Sequence, residues 1–160
     1  MPKDDTPDWQ SGLPFTLWRT QHAVHRRVQE AFEGMDVTIT QLGLVVHLDD
    51  LGHMSASDLA RRFRLTPQSV TTALGGLERA GWVRRLPHPV HRKVIWYELT
   101  ADGVSRVAEA RTRMSRVTAQ IDDLIGADRR RELTERLSEL ATAIDGELPP
   151  PGPLWPAPRA

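Results

Sequence analysis

Eight basic side chains lie in one stretch of 36 residues, and their spacing suits a polyanion as partner. Residues 59–94 carry a net charge of +7, because the only acidic residue among them is Glu78. The basic residues are Arg61, Arg62, Arg64, Arg79, Arg84, Arg85, Arg92 and Lys93. Short polar side chains lie in the middle of the same stretch, at Gln68, Ser69, Thr71 and Thr72. Cations position phosphates and short polar groups can read base edges, so the stretch indicates double-stranded DNA as partner.

The total charge hides this concentration. The 160 residues include 21 basic and 21 acidic side chains, so the net charge is zero. Residues 1–58 carry −5 and residues 95–160 carry −2, which cancel the basic stretch. The length and the 39% hydrophobic content fit one globular domain. No apolar run approaches the ~18 residues of a membrane span, and the polar N-terminus is unlike a signal peptide. We therefore expect a soluble, cytoplasmic protein with no membrane partner.

Enzymatic chemistry is not indicated. The chain has no cysteine, which excludes a thiol nucleophile, a thiolate metal site and a disulfide framework. It also lacks a serine-nucleophile motif, HExxH and a phosphate-binding glycine loop, so we predict no catalytic residue and no cofactor. Two histidine pairs, His22 with His25 and His88 with His91, have a spacing that permits metal chelation. Without an identified third ligand no metal site is predicted, and a zinc-responsive protein stays an alternative.

Hydrophobic periodicity and turn residues divide the chain into helices and one hairpin. Capping patterns at Thr38–Gln41, Ser55–Asp58 and Thr66–Pro67 mark three helix starts. The predicted order begins with a loose arm over 1–14, a first helix over about 15–33 and a second helix to Leu51. A short helix after Ser55 and a helix from Pro67 to about Ala80 follow, and then a β-hairpin over 82–99. The chain ends with a long helix to near Gly126, a final helix from Asp128 and a proline-rich tail over 147–160.

Two segments carry a family resemblance: SASDLARRFRLTPQSVTTALGGLERAGWVRR and the hairpin return HRKVIWYELTADG. In this order and spacing they resemble the MarR family of winged helix-turn-helix transcriptional regulators, over about residues 15–146. The resemblance implies a mainly α (α+β) fold, with a winged helix-turn-helix lobe at about 38–100. Helices at about 15–34 and 101–146 would form a dimerisation lobe. It further implies a homodimeric repressor on a palindromic operator, released by a small molecule; an architectural DNA-binding protein is the other alternative.

The candidate DNA contacts fall into three groups. On the reading helix, Gln68 is the first choice for base contact because an amide can pair bidentately with adenine. The rest of that group is Pro67, Ser69, Thr71 and Thr72. Phosphate contacts are expected from Ser55, Ser57, Arg61, Arg62, Arg64 and Thr66. The hairpin group is Arg84, Arg85, His88, His91, Arg92 and Lys93. Since imidazole gains charge between roughly pH 7 and 5, we expect DNA affinity to rise on acidification through His88 and His91.

A ligand site is expected between the first and second helices. Trp18, His22 and Arg26 lie about one turn apart and could face the second helix. The facing residues would be Leu42, Val45, Val46 and His47. An aromatic ring, a cation and an apolar wall suit a planar organic anion, so we predict an aromatic or anionic effector.

Two positions depart from the family pattern. The hairpin reads His91-Arg92-Lys93 where relatives usually have an acidic residue followed by two arginines. Gly75 and Gly76 lie inside the reading helix, where each costs about 1 kcal/mol relative to alanine. Either the backbone approaches a neighbour closely there, or the helix is locally soft.

Overall fold

The computed structural model describes residues 11–148, which form six helices and a three-stranded sheet. In chain order the elements are α1 (Leu13–Ala31), α2 (Ile39–Leu51), β1 (Met54–Ser55), α3 (Ala56–Phe63), α4 (Pro67–Arg79), β2 (Val83–Pro87), β3 (Ile95–Leu99), α5 (Ala101–Ile125) and α6 (Ala127–Asp145). The mainly helical class is confirmed. Residues 13 and 14 belong to α1 and not to the predicted arm. The rest of the tail prediction, from residue 149, and arm residues 1–10 lie outside the described residues.

Side-chain caps fix three helix starts where the sequence placed them. The Thr38 hydroxyl accepts from the Gln41 N–H at 3.1 Å, and the Gln41 amide oxygen accepts from the Thr38 N–H at 2.8 Å. Ser55 and Asp58 form the same reciprocal box at α3. At α4 the Thr66 hydroxyl accepts from the Ser69 N–H at 3.1 Å, with Pro67 in the first turn. These bonds satisfy backbone donors that a helix leaves open.

The sheet is antiparallel in the order β1-β3-β2. The predicted hairpin forms with Val83 opposite Leu99 and Pro87 opposite Ile95. Strand β1 was not predicted, because two residues carry no alternation that a sequence pattern could show. It pairs with β3 through Ser55 opposite Trp96. Ser55 is thus both a strand residue and the N-cap of α3.

The core lies around α2 and α4. Fully buried apolar side chains on α2, α3 and α4 are Leu44, Val45, Leu59, Val70, Leu74 and Leu77. Helix α1 packs on α5, and α6 contacts α5 but has no buried residue. The helix-turn-helix α3–α4 is therefore anchored by a dense core, to which α1 and α5 contribute Val28, Val107 and Val117, while α6 lies outside it. None of the helices between Leu13 and Asp145 is long and apolar enough to span a bilayer.

The structure explains one of the two glycines inside the reading helix, Gly76. The Gln41 side-chain amide donates to the Ala73 carbonyl at 3.2 Å, and a Cβ on Gly76 would lie 2.7 Å from the same nitrogen. Close approach of α2 to α4 therefore accounts for this glycine. At Gly75 a Cβ would meet only the Arg79 guanidinium, at 3.7 Å. Nothing in the structure explains Gly75.

A second close approach joins α5 to the start of the sheet. The Thr100 hydroxyl donates to the Gly81 carbonyl at 2.6 Å and accepts from the Gly103 N–H at 3.0 Å. A Cβ on Gly103 would lie 2.0 Å from the carbonyl oxygen of Trp82, which is itself buried. Only glycine fits this position, so the Leu-Thr-x-x-Gly segment sets the direction in which α5 leaves the sheet.

Candidate nucleic-acid interface and ligand cavity

Helix α4 presents a polar face to solvent. Val70, Leu74 and Leu77 are fully buried and hold one side of the helix against the core. The predicted reading residues lie exposed on the rest of it, at Pro67, Gln68, Ser69, Thr71 and Thr72. The Thr66 and Ser69 hydroxyls share a hydrogen bond at 2.8 Å at the N-terminal end. An exposed polar helix face with a capped N-terminus is suited to the major groove.

Some of the residues predicted to contact phosphates are not placed to do so. Ser57 is exposed near the start of α3, and Arg61 and Arg62 are half-buried in its last turn. Ser55 is buried, and its hydroxyl donates to the Asp58 carboxylate at 2.6 Å. The expected phosphate contact from Ser55 is therefore corrected: its side chain serves the cap and does not reach the surface.

Arg64 is bonded to the C-terminal end of α6. Its guanidinium donates to the Gly146 carbonyl at 3.0 Å and lies 3.8 Å from the Asp145 carboxylate. Arg64 itself adopts a left-handed conformation, with φ of 52°, which turns the chain between α3 and α4. A cation is favourable at the carbonyl end of a helix. This contact corrects the assignment of Arg64 to phosphate binding.

Arg84 and Arg85 form ion pairs beside the sheet. Arg84 Nε donates to the Glu98 carboxylate at 2.6 Å, and Arg85 Nε lies 2.9 Å from the Glu78 carboxylate. Both side chains are exposed, but each charge is already matched by a neighbouring carboxylate. The two arginines are thus less suited to DNA than the sequence predicted.

His88 is a structural residue of the hairpin loop. It is 3% exposed, and its Nδ1 accepts from the backbone N–H groups of Val90 and His91 at 3.1 and 3.0 Å. Its ring also packs on Trp96, with 4.2 Å between centroids. Because its ring is buried and bonded within the loop, the expected DNA contact from His88 is corrected. His91, Arg92 and Lys93 remain exposed on the loop.

The histidine pairs do not form a metal centre in the part of the chain that is described. Across residues 11–148 no three His, Cys, Asp or Glu side chains converge in a way that could hold an ion. His22 Nδ1 donates to the Trp18 carbonyl at 2.8 Å, so one of its nitrogens is already used within α1.

A cavity of about 490 Å³ lies between α1, α2 and α5. Three of the predicted ligand-binding residues line it, namely Leu42, Val46 and His47. Val45 does not, because it is fully buried in the core on another side of α2. Lining residues that the sequence prediction did not include are Val28, Phe32, Ile39 and Gly43, with Ala110, Arg111, Met114, Ser115 and Thr118 from α5.

The expectation for Trp18, His22 and Arg26 is corrected, since none of the three lines this cavity. Trp18 is 57% exposed and packs on Phe15 and His22, with ring centroids 5.7 and 4.3 Å away. Helical spacing placed the three residues on one face correctly, but α1 packs on α5, and its C-terminal half, through Val28 and Phe32, forms the cavity wall.

Arg111 is the most informative residue that sequence reasoning missed. Its guanidinium donates to the Asp49 carboxylate at 3.1 Å and to the Asp50 carboxylate at 2.5 Å. These two hydrogen bonds raise the pKa of Arg111 above its ordinary value. The signal was present in the sequence, because Arg111 interrupts the apolar stripe that runs through Val107 and Met114 on α5.

The cavity wall touches the helix-turn-helix directly. The His47 ring meets the Phe63 ring edge-on, with 4.5 Å between centroids. A Cβ on Gly43 would lie 2.9 Å from the Phe63 ring, so the missing side chain lets the last residue of α3 press against α2. A ligand that displaced this wall would therefore move α3.

Sequence comparison relates the helix-turn-helix and hairpin region to a known family. The family model described as MarR family matches residues 35–93, which run from before α2 to the hairpin loop. Over this segment, which is 59 of the 160 residues, the chain is similar to the MarR family. An HTH-type transcriptional regulator of Mycobacterium tuberculosis is 32% identical over 75 residues, 47% of this chain and 52% of that protein. The chain thus matches about half the length of this curated relative.

Solved MarR-type structures share the fold. The transcriptional repressor CouR, bound to a 23-mer DNA duplex, has a TM-score of 0.81 at 21% identity, covering 87% of this chain and 99% of CouR. BpsR of Bordetella bronchiseptica, whose DNA binding is regulated by 6-hydroxynicotinic acid, has a TM-score of 0.77 at 17% identity, covering 83% of this chain and 95% of BpsR. The organohalide-sensing regulator RdhR with 2,4-dichlorophenol bound has a TM-score of 0.74 at 18% identity, covering 89% of this chain and 88% of RdhR. At these identities the likeness establishes the fold.

Proposed function

We propose that this protein is a cytoplasmic, homodimeric, sequence-specific DNA-binding regulator of the MarR family. It represses transcription from a palindromic operator and is released by a small-molecule effector. The observation that carries the proposal is the coincidence of the +7 charge of residues 59–94 with the exposed face of α4 and the hairpin loop. The match of residues 35–93 to the MarR family model and the DNA-bound structural neighbour CouR support the same conclusion.

The proposed interface is narrower than the sequence predicted. Gln68, Thr71 and Thr72 read base edges from α4, and Ser69 and Pro67 lie beside them at its N-terminal end. Ser57, Arg61, Arg62 and Thr66 position the helix against phosphates. His91, Arg92 and Lys93 extend from the loop between β2 and β3 towards an adjacent minor groove. Helix dipole and side-chain cations then act on the same phosphates.

Operator recognition is tested by binding selected genomic fragments, with fluorescence anisotropy at several salt concentrations. Gln68→Ala is expected to weaken operator binding by about 1–3 kcal/mol, because a bidentate contact to adenine is lost. Binding to unrelated DNA should stay unchanged, since it depends on phosphates. Gln120→Ala on α5, far along the chain from α4, is the matched control and should bind as the wild type does. Equal losses of Gln68→Ala on operator and unrelated DNA would remove Gln68 from base reading.

Homodimer formation is proposed from the exposed apolar side chains of α1, α5 and α6. Helix α6 has no buried residue, yet Leu133, Leu137 and Ile144 repeat along one side of it. Leu124 at the end of α5 is 76% exposed and Trp18 on α1 is 57% exposed. A row of exposed apolar side chains along one side of a helix is typical of a surface that another protein covers. A second copy of the chain covers these side chains, as the family resemblance implies.

Negative charge placed on the apolar side of α6 is expected to dissociate the proposed dimer. Leu133→Glu with Leu137→Glu is expected to convert the dimer of 18.0 kDa chains to a monomer, as measured by light scattering after size exclusion. Two buried carboxylates cannot be accommodated in an apolar interface. Arg131→Glu changes the net charge by the same two units on the opposite side of α6 and should stay dimeric. A double variant that remains dimeric would place the interface elsewhere.

Effector release is proposed to act at the cavity between α2 and α5. Its volume lies in the range of small-molecule sites, and its walls are mostly apolar with a few polar groups. The route to DNA runs through the contacts of His47 and Gly43 with Phe63. A ligand in the cavity moves this wall, and with it α3 and the reading helix.

A further inference from the structure

The cavity between α2 and α5 contains a single formal charge. Arg111 is the one arginine, lysine, aspartate or glutamate among the described residues that line it. The other walls are aliphatic or aromatic, from Val28, Phe32 and Leu42 among others. The class of molecule that the cavity accepts therefore depends on whether the charge of Arg111 is free to pair with a ligand.

Arg111 is already committed to two carboxylates. It bonds Asp49 at 3.1 Å and Asp50 at 2.5 Å, and all three side chains are partly exposed. One guanidinium against two carboxylates leaves a net charge of −1 at this edge of the cavity. An organic anion would have to displace one aspartate and then remain beside both. Burying its charge in apolar walls without a free cation is unfavourable.

The remaining polar groups offer acceptors to a ligand. The hydroxyls of Ser115 and Thr118 donate to the backbone carbonyls of Thr112 and Met114, at 2.8 and 3.2 Å. His47 Nδ1 donates to the Gly43 carbonyl at 3.0 Å, because a carbonyl can only accept. In the neutral ring Nε2 is then an acceptor. A ligand group that suits His47 is a hydroxyl or amide N–H.

Resting on the proposed effector-responsive function, we propose that the cavity takes an uncharged, mostly apolar ligand carrying a hydrogen-bond donor, and excludes organic anions. This replaces the anionic ligand expected from sequence, which depended on Arg26. The selection is electrostatic: Asp49 and Asp50 neutralise the cavity's cation and repel a second negative charge.

The test compares two aromatic molecules of the same shape, 2-naphthamide and 2-naphthoate, by isothermal titration calorimetry on the full chain. The amide is expected to bind at least tenfold more tightly than the carboxylate. In the variant D49N/D50N, Arg111 loses both counter-charges. Naphthoate should then gain at least tenfold in affinity, whereas naphthamide should change by less than threefold. Met114→Trp, which fills the cavity from an exposed position, should abolish naphthamide binding.

Each other outcome overturns the inference. Tighter binding of naphthoate to the wild type would show that Arg111 is available to anions. An unchanged naphthoate affinity in D49N/D50N would show that the aspartates do not set the selection. Failure of both molecules to bind would remove the cavity as a site for this class. Operator affinity is measured on the same preparation, and a protein that binds its operator but fails here retains the proposed regulatory function.

Discussion

Replacing Gly103 with alanine is expected to lower the free energy of unfolding by about 3 kcal/mol or more. A Cβ at this position would lie 2.0 Å from the carbonyl oxygen of Trp82. That oxygen also accepts from the Thr100 N–H at 3.0 Å, so it cannot withdraw without breaking the junction of β3 and α5. Overpacking against rigid backbone typically costs 1–3 kcal/mol, occasionally more. Urea unfolding followed by circular dichroism at fixed protein concentration measures the change.

Gly75→Ala is the matched control for this substitution. Both glycines lie inside helices, but at Gly75 a new Cβ meets only the flexible Arg79 guanidinium at 3.7 Å. Alanine should therefore stabilise α4 by about 1 kcal/mol. Replacement of glycine by alanine is thus expected to lower the free energy of unfolding at Gly103 and to raise it at Gly75. A Gly103→Ala protein that unfolds within 0.5 kcal/mol of the wild type, about the scatter of neutral substitutions, would contradict the packing argument.

Removing both cations of the hairpin loop is expected to weaken DNA binding on every sequence. Arg92→Ala with Lys93→Ala deletes two exposed charges whose proposed role is contact with phosphates or the minor groove. Each phosphate contact contributes about −0.9 to the slope of log affinity against log salt, so the slope should become shallower by about 2. Anisotropy titrations across a range of salt concentrations measure both affinity and slope.

The control for the loop removes the same charge elsewhere. Arg116→Ala with Arg129→Ala deletes two exposed cations from α5 and α6, and the salt slope should remain that of the wild type. If the loop variant and this control variant show the same slope, the loop does not contact DNA. Arg84 and Arg85 are poorer choices for this experiment, because removing either would leave Glu98 or Glu78 without its ion-pair partner.

Local chemistry made much of the fold predictable. The boxes at Thr38–Gln41 and Ser55–Asp58 and the Thr66–Pro67 start depend on residues within one turn, and all three form where they were expected. Strand β1 escaped prediction because its two residues pair with β3, some forty positions further along the chain. The reason for Gly76 likewise lies in another helix, at Gln41.

The candidate sites were less predictable, because charge and polarity do not reveal which neighbour a side chain meets. Arg64 was expected at phosphates, but the end of α6 folds back to it across some eighty residues. His88 was expected to be a charged loop residue, but the hairpin turns its ring inwards as a backbone acceptor. The cavity depends on the packing of α5 against α1 and α2, and helical periodicity alone does not fix that partner.

Ser55 also determines where motion can occur in this molecule. Its backbone belongs to β1, which pairs with β3, and its side chain caps α3. Strand β1 and the helix-turn-helix share this residue, and a hinge between β3 and α3 would have to break the cap or the strand pairing. The strand pairing and the cap at Ser55 therefore tie the sheet to the helix-turn-helix. The effector proposed above would then have to shift the sheet and the helix-turn-helix together relative to α1 and α5, and in the proposed dimer such a shift would alter the distance between the two reading helices.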